Sequence, residues 1–528
     1  MIQEHPVLEH LGIELAVPTE GVFRLDLSEL DGPDELAADA TDSYTWTPIL
    51  PHATAVTIRR GLVRDKAWFS HDVGELVVRV LGEEFDPVEN LDVRAGVTVR
   101  AVDGEGRPIF TGTIEDADSE HRKPGDGKSS TTLVAVDAVR DVANTPRYGA
   151  ANPGAEWETT PSRFARLLGS SPVPWRIEDA LPGRPVDYRP TFTTPAQALA
   201  EAGHWSGDGV VSVPGSGPAR VRFSEGVNGD TLSRTLTGLT PGRPYVLELR
   251  LTVEATGAPG VQVLMDGQTV NLTQVGPAVV RVAFTPTGTT QPLSLTIYNT
   301  GTVADLTGII LAEWNPHYQA NIVHESDLAS HLNIAGATGR TVWYVDAAGT
   351  LVVAPEYPWL DDEPVAHFSD DGTGTHGYVG AVAGFGTADL VTSVELDNHR
   401  RAWDEEAGDW RADDQRLGPW IDHTARATYG HRRATVETAV ADTGIPWAVS
   451  PAELAAAYLE AGSEVSHRVR QLRWNAAEDY SLVHRLETWA VVLVTHRGST
   501  RRYRIVHTDH EISPRRWIVT LTLTPEVV

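Results

Sequence analysis

The stretch FDPVENLDVRAGVTVRAVDGEGRPIFTGTIED, Phe85 to Asp116, decides the fold class of this chain. Apolar and polar residues alternate along most of it, and the alternation breaks once, at Asp103-Gly104-Glu105-Gly106. Alternation with a period of two predicts a strand with one buried face, and a Gly-rich break predicts a hairpin turn. Its acidic residues do not fall in a pattern that a reaction requires. The stretch therefore predicts a twisted two-stranded ribbon with a structural role.

The same patterning extends on both sides of this ribbon. The segments ATAVTIRRGL and GELVVRVLGEEF alternate before it, and TTLVAVDAV alternates after the turn-rich loop HRKPGDGKSS. Short strands joined by turns are typical of a small antiparallel barrel or sandwich. Near the C-terminus, VVLVTHRGSTRRYRIVHTDHEIS and then RRWIVTLTLTP repeat the order strand, Gly turn, strand, strand. Both ends of the chain are therefore predicted to carry one type of barrel, and a chance similarity of two hairpins is the alternative.

Helices are predicted where a capping residue precedes a Pro or an Ala/Leu-rich run. The predicted helices begin near Thr160, Thr193, Ser326 and Ser450. The third of them leads into TVWYVDAAGTLVVAPEY, which predicts a hairpin with its turn at Asp346-Ala347-Ala348-Gly349. Between the second and third helices, closely spaced strands without helix signal predict a self-contained sandwich inserted into a flanking domain.

A chain of 528 residues is long enough for three or four domains, each with its own core. The predicted fold class is mainly β and multidomain, with two related antiparallel barrels, an intervening α+β domain and an inserted β-sandwich (jelly roll). The predicted divisions are an N-terminal segment (1–46), a first barrel (47–145), a split middle domain (146–204 and 317–385), the sandwich (205–316), and a second barrel with a helical insertion (386–528).

Composition excludes several classes of protein. The net charge of −29 argues against a protein that binds the phosphate backbone of nucleic acid, because an acidic surface repels nucleic acid. Cysteine is absent, which excludes disulfides and thiolate metal sites and fits synthesis in a reducing cytosol. No run of 18 apolar residues predicts a membrane span, and MIQEHPVLEH lacks the pattern of a secretory signal.

Three short motifs resemble ligand sites but lack the surrounding pattern. GTGTHG, Gly372–Gly377, matches G-x-G-x-x-G, but strand-like sequence follows it where a dinucleotide site needs a helix. GDGKSS, Gly125–Ser130, lacks the upstream Gly of a P-loop. In HTDH, alternation puts His507 and Asp509 on one strand face and His510 on the other. We therefore expect no catalytic residues, no cofactor and no metal.

The residues quoted so far resemble minor tail proteins of the tail-hub type from siphophages that infect actinobacteria. The resemblance lies in Asp86-Pro87, in the R-x-G of Arg94 to Gly96, and in the valine-rich strand, Gly turn and IFTG that follow. It continues in VHESDLASHLNIAGATGRTVWYVDAAGTLVV and DLVTSVELDNH, and covers roughly residues 20–200 and 317–528.

What this resemblance implies is a structural virion protein of the tail tip, made in the host cytoplasm. Three copies would place six barrels in a ring that matches a sixfold tail tube. The implied partners are further copies of the chain (a homotrimer), the distal tail protein and tail tube, the tape measure protein, and other minor tail proteins or fibres. DNA would only pass through an acidic channel.

The inserted sandwich resembles a carbohydrate-binding-module-like jelly roll in TLTGLTPGRPYVLELRLTVEATG, LTIYNTG and DLTGIILAEW. That resemblance implies contact with a host cell-wall glycan. Its candidate stacking residues are Trp205, Tyr245, Tyr298 and Trp314, although a buried role is the more common one for a mid-strand ring. A receptor adhesin that acts through the sandwich is the alternative function, and a cell-wall hydrolase is the least expected.

Overall fold

The structure is a computed structural model that describes most of the chain. The described residues are 7–18, 44–49, 52–66, 68–88, 90–120, 129–147, 157–169, 171–178, 185–189, 192, 194–216, 218–224, 229–243, 245–299, 301–313, 317–322, 326–356, 363–386, 389–441, 448–463 and 467–525. The predicted strand GVFRLDLSEL, most of the HRKPGDGKSS loop and Trp314 lie outside these ranges. Among the described helices, none is long and apolar enough to cross a membrane.

The N-terminal part forms a sheet that we call the N-unit, with strand order β2-β1-β6-β7-β8-β5-β3 and β4 as a hairpin extension of β3. Its strands are β1 (Leu11–Pro18), β2 (Tyr44–Pro48), β3 (Ala53–Asp65), β4 (Trp68–His71), β5 (Glu75–Leu81), β6 (Thr98–Asp103), β7 (Pro108–Glu120) and β8 (Ser130–Val136). The hairpin predicted in the opening stretch is confirmed. The Gly106 N–H donates to the Asp103 carbonyl at 2.9 Å, and the Asp103 carboxylate accepts from the backbone N–H groups of Glu105 and Arg107.

Short elements follow the N-unit and begin a central body. They are α1 (Val139–Ala143), β9 (Pro146–Arg147), β10 (Trp157–Thr159), α2 (Thr160–Leu168) and β11 (Trp175–Ile177). The helix predicted near Thr160 is present, but Thr159 holds the capping position and Pro161 follows in the first turn. A shift of one residue at a helix end is the usual scatter of such boundaries.

The sandwich consists of two facing sheets. Its elements are β12 (Pro185–Arg189), α3 (Pro195–Ala202), β13 (Trp205–Gly207), β14 (Val210–Ser212), β15 (Val221–Ser224), β16 (Asp230–Thr237), β17 (Tyr245–Ala255), β18 (Gly260–Met265), β19 (Gln268–Leu272), β20 (Gly276–Phe284), β21 (Thr290–Tyr298) and β22 (Thr302–Glu313). One sheet has the order β14-β15-β22-β17-β20, with β12 also paired to β22, and the other has the order β13-β16-β21-β18-β19. We call the first, with β12, β14, β15, β17, β20 and β22, the inner-side sheet, and the second, with β13, β16, β18, β19 and β21, the β16–β21 sheet.

Two elements ahead of residue 205 also pack in the sandwich. Strand β12 pairs with β22, and Phe192 and Ala198 join the core between the two sheets. Helix α3 has the predicted cap, because the Thr194 hydroxyl accepts from the Gln197 N–H at 3.3 Å. The expected sandwich start at residue 205 thus falls inside this packing unit, since the apolar side of α3 is buried against the sheets.

The central body is completed after the sandwich. It adds β23 (Tyr318–Ala320), β24 (Ser326–Asp327), α4 (Leu328–Gly339), β25 (Thr341–Val345) and β26 (Leu351–Pro355). Helix α4 is capped by the Asp327 carboxylate, which accepts from the Ser330 N–H at 2.7 Å, and it packs on α1, α2 and the β25–β26 hairpin. The predicted turn is confirmed, because the Gly349 N–H donates to the Asp346 carbonyl at 3.0 Å.

The remaining residues divide between two bodies. Their elements are β27 (Ala366–Ser369), β28 (His376–Gly377), β29 (Gly380–Phe385), β30 (Ser393–Asn398), β31 (Arg401–Asp404), β32 (Asp409–Ala412), β33 (Gln415–Ile421), α5 (His423–Tyr429), β34 (Arg433–Thr438), α6 (Pro451–Ser463), β35 (His467–Asn475), β36 (Val491–His496), β37 (Ser499–Ser513) and β38 (Arg516–Pro525). Strands β27–β29 and β35–β38 form a sheet that we call the C-unit. Strands β30, β33 and β34 form a separate sheet against α6.

This arrangement differs from the expected divisions in two places. Strands β27 to β29, expected in the middle domain, belong to the C-unit, and the β30–β33–β34 sheet, expected in the second barrel, stands apart from it. Alternation reveals which residues form strands, but it does not specify which strands pair.

The N-unit and the C-unit have the same strand order. The C-unit order is β28-β27-β36-β37-β38-β35-β29. When the seven strands of each unit are numbered along the chain, with β4 left out, both orders read 2-1-5-6-7-4-3. They differ in direction at one strand, because β27 runs parallel to its neighbours and β1 runs antiparallel. The relationship predicted from two hairpins therefore extends over seven strands.

Candidate functional site at the junction of the sheet units

The two units are also alike at the level of single residues. Strand β7 has a bulge between Ile114 and Asp116 where it pairs with β8, and β37 has a bulge between Ile505 and His507 where it pairs with β38. Ile114 exchanges backbone hydrogen bonds of 2.8 and 2.9 Å with Gly96 and Val97, and Ile505 makes the same pair, of 2.7 and 2.9 Å, with Trp489 and Ala490.

In each unit, the residue whose N–H donates to this isoleucine has a positive φ. Gly96 has a φ of 95° and Trp489 has a φ of 72°. A bulky residue rarely adopts positive φ, so the surrounding sheet must hold Trp489 in that state. Aligned sequence does not reveal this equivalence, because a Gly and a Trp share no side-chain property.

The units join through β3 and β37, which pair antiparallel from Val56 opposite Ile512 to Gly61 opposite His507. Gly61 lies at the end of this pairing with a φ of 140°, and a Cβ there would lie 2.3 Å from the Val506 carbonyl oxygen. Only glycine combines this φ with so close an approach of two backbones. The pairing merges both units into one sheet, and one hydrophobic core runs through both.

Buried charge crosses the junction. Arg60 is 3% exposed and forms an ion pair with Glu487, whose other oxygen accepts from the Ala347 N–H at 3.2 Å. Glu487 thereby connects the N-unit strand β3 with the turn of the central body. Nearby, burial raises the pKa of Asp137 to about 7, although its carboxylate accepts from the Val139 N–H at 3.0 Å and the Arg60 charge acts in the opposite direction.

The HTDH segment lies in β37 at this junction. As alternation predicts, His510 faces the core, and His507 and Asp509 lie on the other face, where Asp509 is 3.5 Å from Arg59. Burial lowers the pKa of His510 to about 3, and the Trp517 indole N–H donates to it at 3.2 Å. Among the described residues, no group of three or more His, Asp or Glu side chains is placed to hold a metal ion.

Beside the junction lies a shallow cleft of about 290 Å³, lined by residues of β3, β35, β37 and β38. Its carboxylate, Asp389, forms an ion pair with Arg468. The GTGTHG segment connects β27 to β28 by a turn with Gly372 at a φ of 79°, and a strand follows it. The lining of the cleft holds one carboxylate, Asp389, so it does not offer the pair of carboxylates that glycoside hydrolysis needs.

Two strand edges equivalent to the junction have no strand partner in the described part of the chain. Strand β7 pairs with β8 along residues 113–120. On its opposite edge, β6 pairs as far as residue 113 and Gly96 and Val97 bond Ile114, so residues 115–120 have no strand partner there among the described residues. The equivalent edge of β37 is the one that holds β3. Likewise, β29 pairs with β35 on one edge only, and its equivalent, β3, uses the other edge to bind β37.

The candidate glycan-binding residues differ in their surroundings. Trp205 is 6% exposed, packs on Phe223, and donates its indole N–H to Glu201 at 2.8 Å. Tyr245 is 1% exposed, and its hydroxyl accepts from the Thr240 N–H. Tyr298 is 40% exposed on the β16–β21 sheet. Of the three described candidates, Tyr298 is therefore the one whose ring reaches solvent.

Comparisons with known proteins found no family model and no curated protein that match the chain. Among solved structures, the chain is similar to the 43 kDa tail protein of prophage MuSo2 from Shewanella oneidensis, with 9% identity, a TM-score of 0.41, and 98% and 97% of the two chains covered. It is also similar to the tail protein of Neisseria meningitidis MC58, with 9% identity, a TM-score of 0.43, and 98% and 97% covered. A carbohydrate-binding module, CBM36 in complex with calcium and xylotriose, is similar at 14% identity and a TM-score of 0.16, over 20% of this chain and 98% of that one.

Proposed function

We propose that this chain is a structural component of a phage tail whose copies close into a ring, with the function of a trimeric tail-tip hub. The observation that carries the proposal is the internal repeat of the two units. One of the two equivalent strand pairings that the repeat offers is formed within the chain, and the other is not formed among the described residues. Within the chain, β3 of the N-unit adds to β37 of the C-unit. The equivalent step from the C-unit adds β29 to β7, and no such pairing exists inside the described chain.

A second copy of the chain supplies the missing step. Addition of β29 from one copy to β7 of the next repeats the β3–β37 pairing between molecules. A contact of this head-to-tail kind generates a closed ring when its rotation closes. The β3–β37 register, carried over through the equivalent bulges, places Val382 opposite Glu120 and Gly384 opposite Asp118.

The chemistry of the two edges supports this pairing. Strand β29, with the sequence GAVAGF, has no charge, and Val379 and Val382 near and within it are 58% and 54% exposed. An apolar edge strand without a charged or Pro guard is a site of strand addition. The end of β7, EDADSE, is acidic, and β35 next to β29 carries Arg468, Arg470 and Arg473. Opposite charges would therefore lie on the two sides of the proposed contact, separated by the uncharged β29.

The tail assignment itself rests on the resemblance of residues 20–200 and 317–528 to tail-hub proteins. A trimer would hold six sheet units around an axis, which suits a sixfold tube. The distal tail protein, the tail tube and the tape measure protein are then the neighbours of the ring. A net charge of −29 would let DNA pass without adhering to the bore. In this function the chain has no turnover.

A charge-swap experiment tests the ring. Sedimentation velocity of the full chain should show a trimer. Val382→Glu should shift it to monomer, because Glu opposite Glu120 places like charges across the edge. The double variant with Glu120→Lys should restore the trimer. Leu264→Glu is the matched control, because it places the same charge at an exposed apolar position of the sandwich.

Two results would contradict the ring. A wild-type chain that stays monomeric at all concentrations, or a Val382→Glu variant that assembles as well as wild type, excludes β29 as the closing edge. Failure of Glu120→Lys to rescue would show that a different register or a different partner strand is used.

The second candidate function is attachment to a host cell-wall glycan through the sandwich. The specific observation that favours it is Tyr298, an aromatic ring exposed on a sheet face. Adsorption of wild-type phage and of phage carrying Tyr298→Ala to host cells tests it. Equal adsorption of the two would remove the sandwich face from host recognition.

A further inference from the structure

The two outer faces of the sandwich differ in charge. On the inner-side sheet, the outward positions of β15, β17 and β22 carry Arg222, Glu248, Arg250, Glu254 and Asp305, several of them joined in ion pairs. On the β16–β21 sheet, the core takes every second residue, for example Leu293, Leu295 and Ile297 of β21. The alternate, outward residues of its described strands include no charged side chain.

This uncharged face is built mainly from hydroxyl and amide side chains. One row crosses four strands through Thr231, Thr296, Gln262 and Asn271, which lie opposite one another in register. With strands about 4.8 Å apart, the row is about 14 Å long. The hydroxyls of Thr231 and Thr296 are 2.9 Å apart, and the Gln262 amide donates to the Asn271 side chain at 3.0 Å.

Tyr298 lies beside the row, two residues beyond Thr296 on β21. Its hydroxyl donates to the Gln262 side-chain oxygen at 3.3 Å, so the ring is tied to the amides. The residue opposite it on β18 is Gly260, and a Cβ there would lie 2.9 Å from the Tyr298 Cβ. Because glycine has no side chain, one flank of the Tyr298 ring remains uncovered.

From this arrangement we propose that the uncharged face of the β16–β21 sheet binds a neutral oligosaccharide laid across the strands. The Tyr298 ring stacks on the C–H face of one sugar, and Gln262, Asn271 and the Thr231 hydroxyl hydrogen-bond the sugar hydroxyls. The proposal rests on the second candidate function and names the surface and the ligand class for it.

The charge and composition of this face favour a neutral oligosaccharide over a polyanion or a protein partner. The absence of Lys and Arg from the outward positions disfavours a polyanion such as nucleic acid or an acidic glycan. A protein partner would need an apolar centre, but Leu264 and Tyr298 are the large apolar side chains that this face exposes, and the rest is mostly Ser and Thr. A polyhydroxyl ligand without charge matches both properties.

Isothermal titration calorimetry with the full chain tests the proposal. The probes are cellohexaose, xylohexaose, maltohexaose, mannohexaose and chitohexaose, with heparin as the charged comparison. At least one neutral hexaose should bind. Tyr298→Ala and Gln262→Ala should each raise its Kd by about tenfold, which corresponds to about 1.4 kcal/mol, and Tyr298→Phe should retain most of the affinity. Thr252→Ala, on the charged outer face, is the control and should leave Kd unchanged.

The outcomes separate this proposal from the others. No binding of any neutral hexaose, or binding of heparin alone, overturns it. Binding that Tyr298→Ala and Gln262→Ala do not weaken places glycan recognition elsewhere on the chain, so the face is wrong while the adhesive function stands. Sedimentation of the Tyr298→Ala variant should match wild type, because the proposed ring uses β29 and β7 and not this face.

Discussion

Ile114 and Ile505 occupy equivalent positions in the two sheet units. Each exchanges a pair of backbone hydrogen bonds with a residue of positive φ and its successor, and each directly precedes a bulge. A bulge re-aims the strand that carries it and increases the local twist. In the C-unit, the re-aimed strand pairs with β3, whereas the equivalent edge of β7 in the N-unit has no strand partner among the described residues.

Replacement of Arg60 by Ala should destabilise the chain by about 3 kcal/mol, because it leaves the Glu487 carboxylate at the junction without its buried partner. The midpoint of urea denaturation, followed by tryptophan fluorescence, measures the effect. Arg59→Ala is the control, since the Arg59 side chain is 57% exposed and its pair with Asp509 contributes about 1 kcal/mol or less. Equal effects of the two substitutions would show that the buried pair does not hold the junction.

Replacement of Gly61 by Ala should also open the junction. The new Cβ would lie 2.3 Å from the Val506 carbonyl oxygen and would force a φ of 140° on an alanine, so a loss of about 3 kcal/mol or more is expected. Thermal unfolding of Gly61→Ala and of Gly257→Ala makes the comparison, because nothing lies within 4 Å of the Cβ position at Gly257. If Gly61→Ala melts at the same temperature as Gly257→Ala, the close approach of β3 and β37 at Gly61 does not contribute to stability.

Asp137 should make stability depend on pH. Its folded pKa, about 7, lies above the ordinary value near 3.9, so the folded chain binds more protons than the unfolded chain between these values. Its contribution is therefore fully present below about pH 4 and is lost as pH rises through 7, with a slope of up to about 1.4 kcal/mol per pH unit.

Asp137→Asn tests this dependence. The asparagine can still accept from the Val139 N–H, so the variant should be more stable than wild type at pH 8, and the difference should shrink toward pH 5. Only the difference in unfolding free energy between wild type and Asp137→Asn is informative. His510 has a folded pKa of about 3, so its contribution to stability is lost as pH falls below 6.5, which is opposite in direction to the contribution of Asp137. A difference that stays constant from pH 5 to pH 8 would contradict the raised pKa.

Glu201→Ala should loosen the sandwich while the sheet units stay intact. Glu201 is fully buried, accepts from the Trp205 indole and forms an ion pair with Arg234. Loss of a carboxylate shared by two core groups should cost about 3 kcal/mol or more. Limited proteolysis of the variant should then cleave first within β13 to β22. Glu254→Ala is the control, because the Glu254 side chain is 58% exposed, and it should be cleaved in the same way as wild type. Cleavage in the sheet units first would show that the sandwich is not an independent unit.

Local patterns determined much of the secondary structure. The β6–β7 hairpin followed from alternation around an Asp-Gly turn, whose carboxylate bonds its own backbone. The predicted helices are present, with capping residues at or next to the predicted positions, because capping and turn chemistry act between residues a few positions apart. The mainly β, multidomain character was predicted for the same reason.

What the sequence alone determined is thus which residues form strands, helices and turns, since period and capping are local. The tertiary structure alone decided which strands pair: β3 with β37, β12 with β22, and β27 to β29 within the C-unit. It also decided that Trp205 and Tyr245 are enclosed while Tyr298 reaches solvent. The physical reason is that a strand edge offers the same backbone donors and acceptors whatever its sequence, so its partner is selected by long-range packing and register.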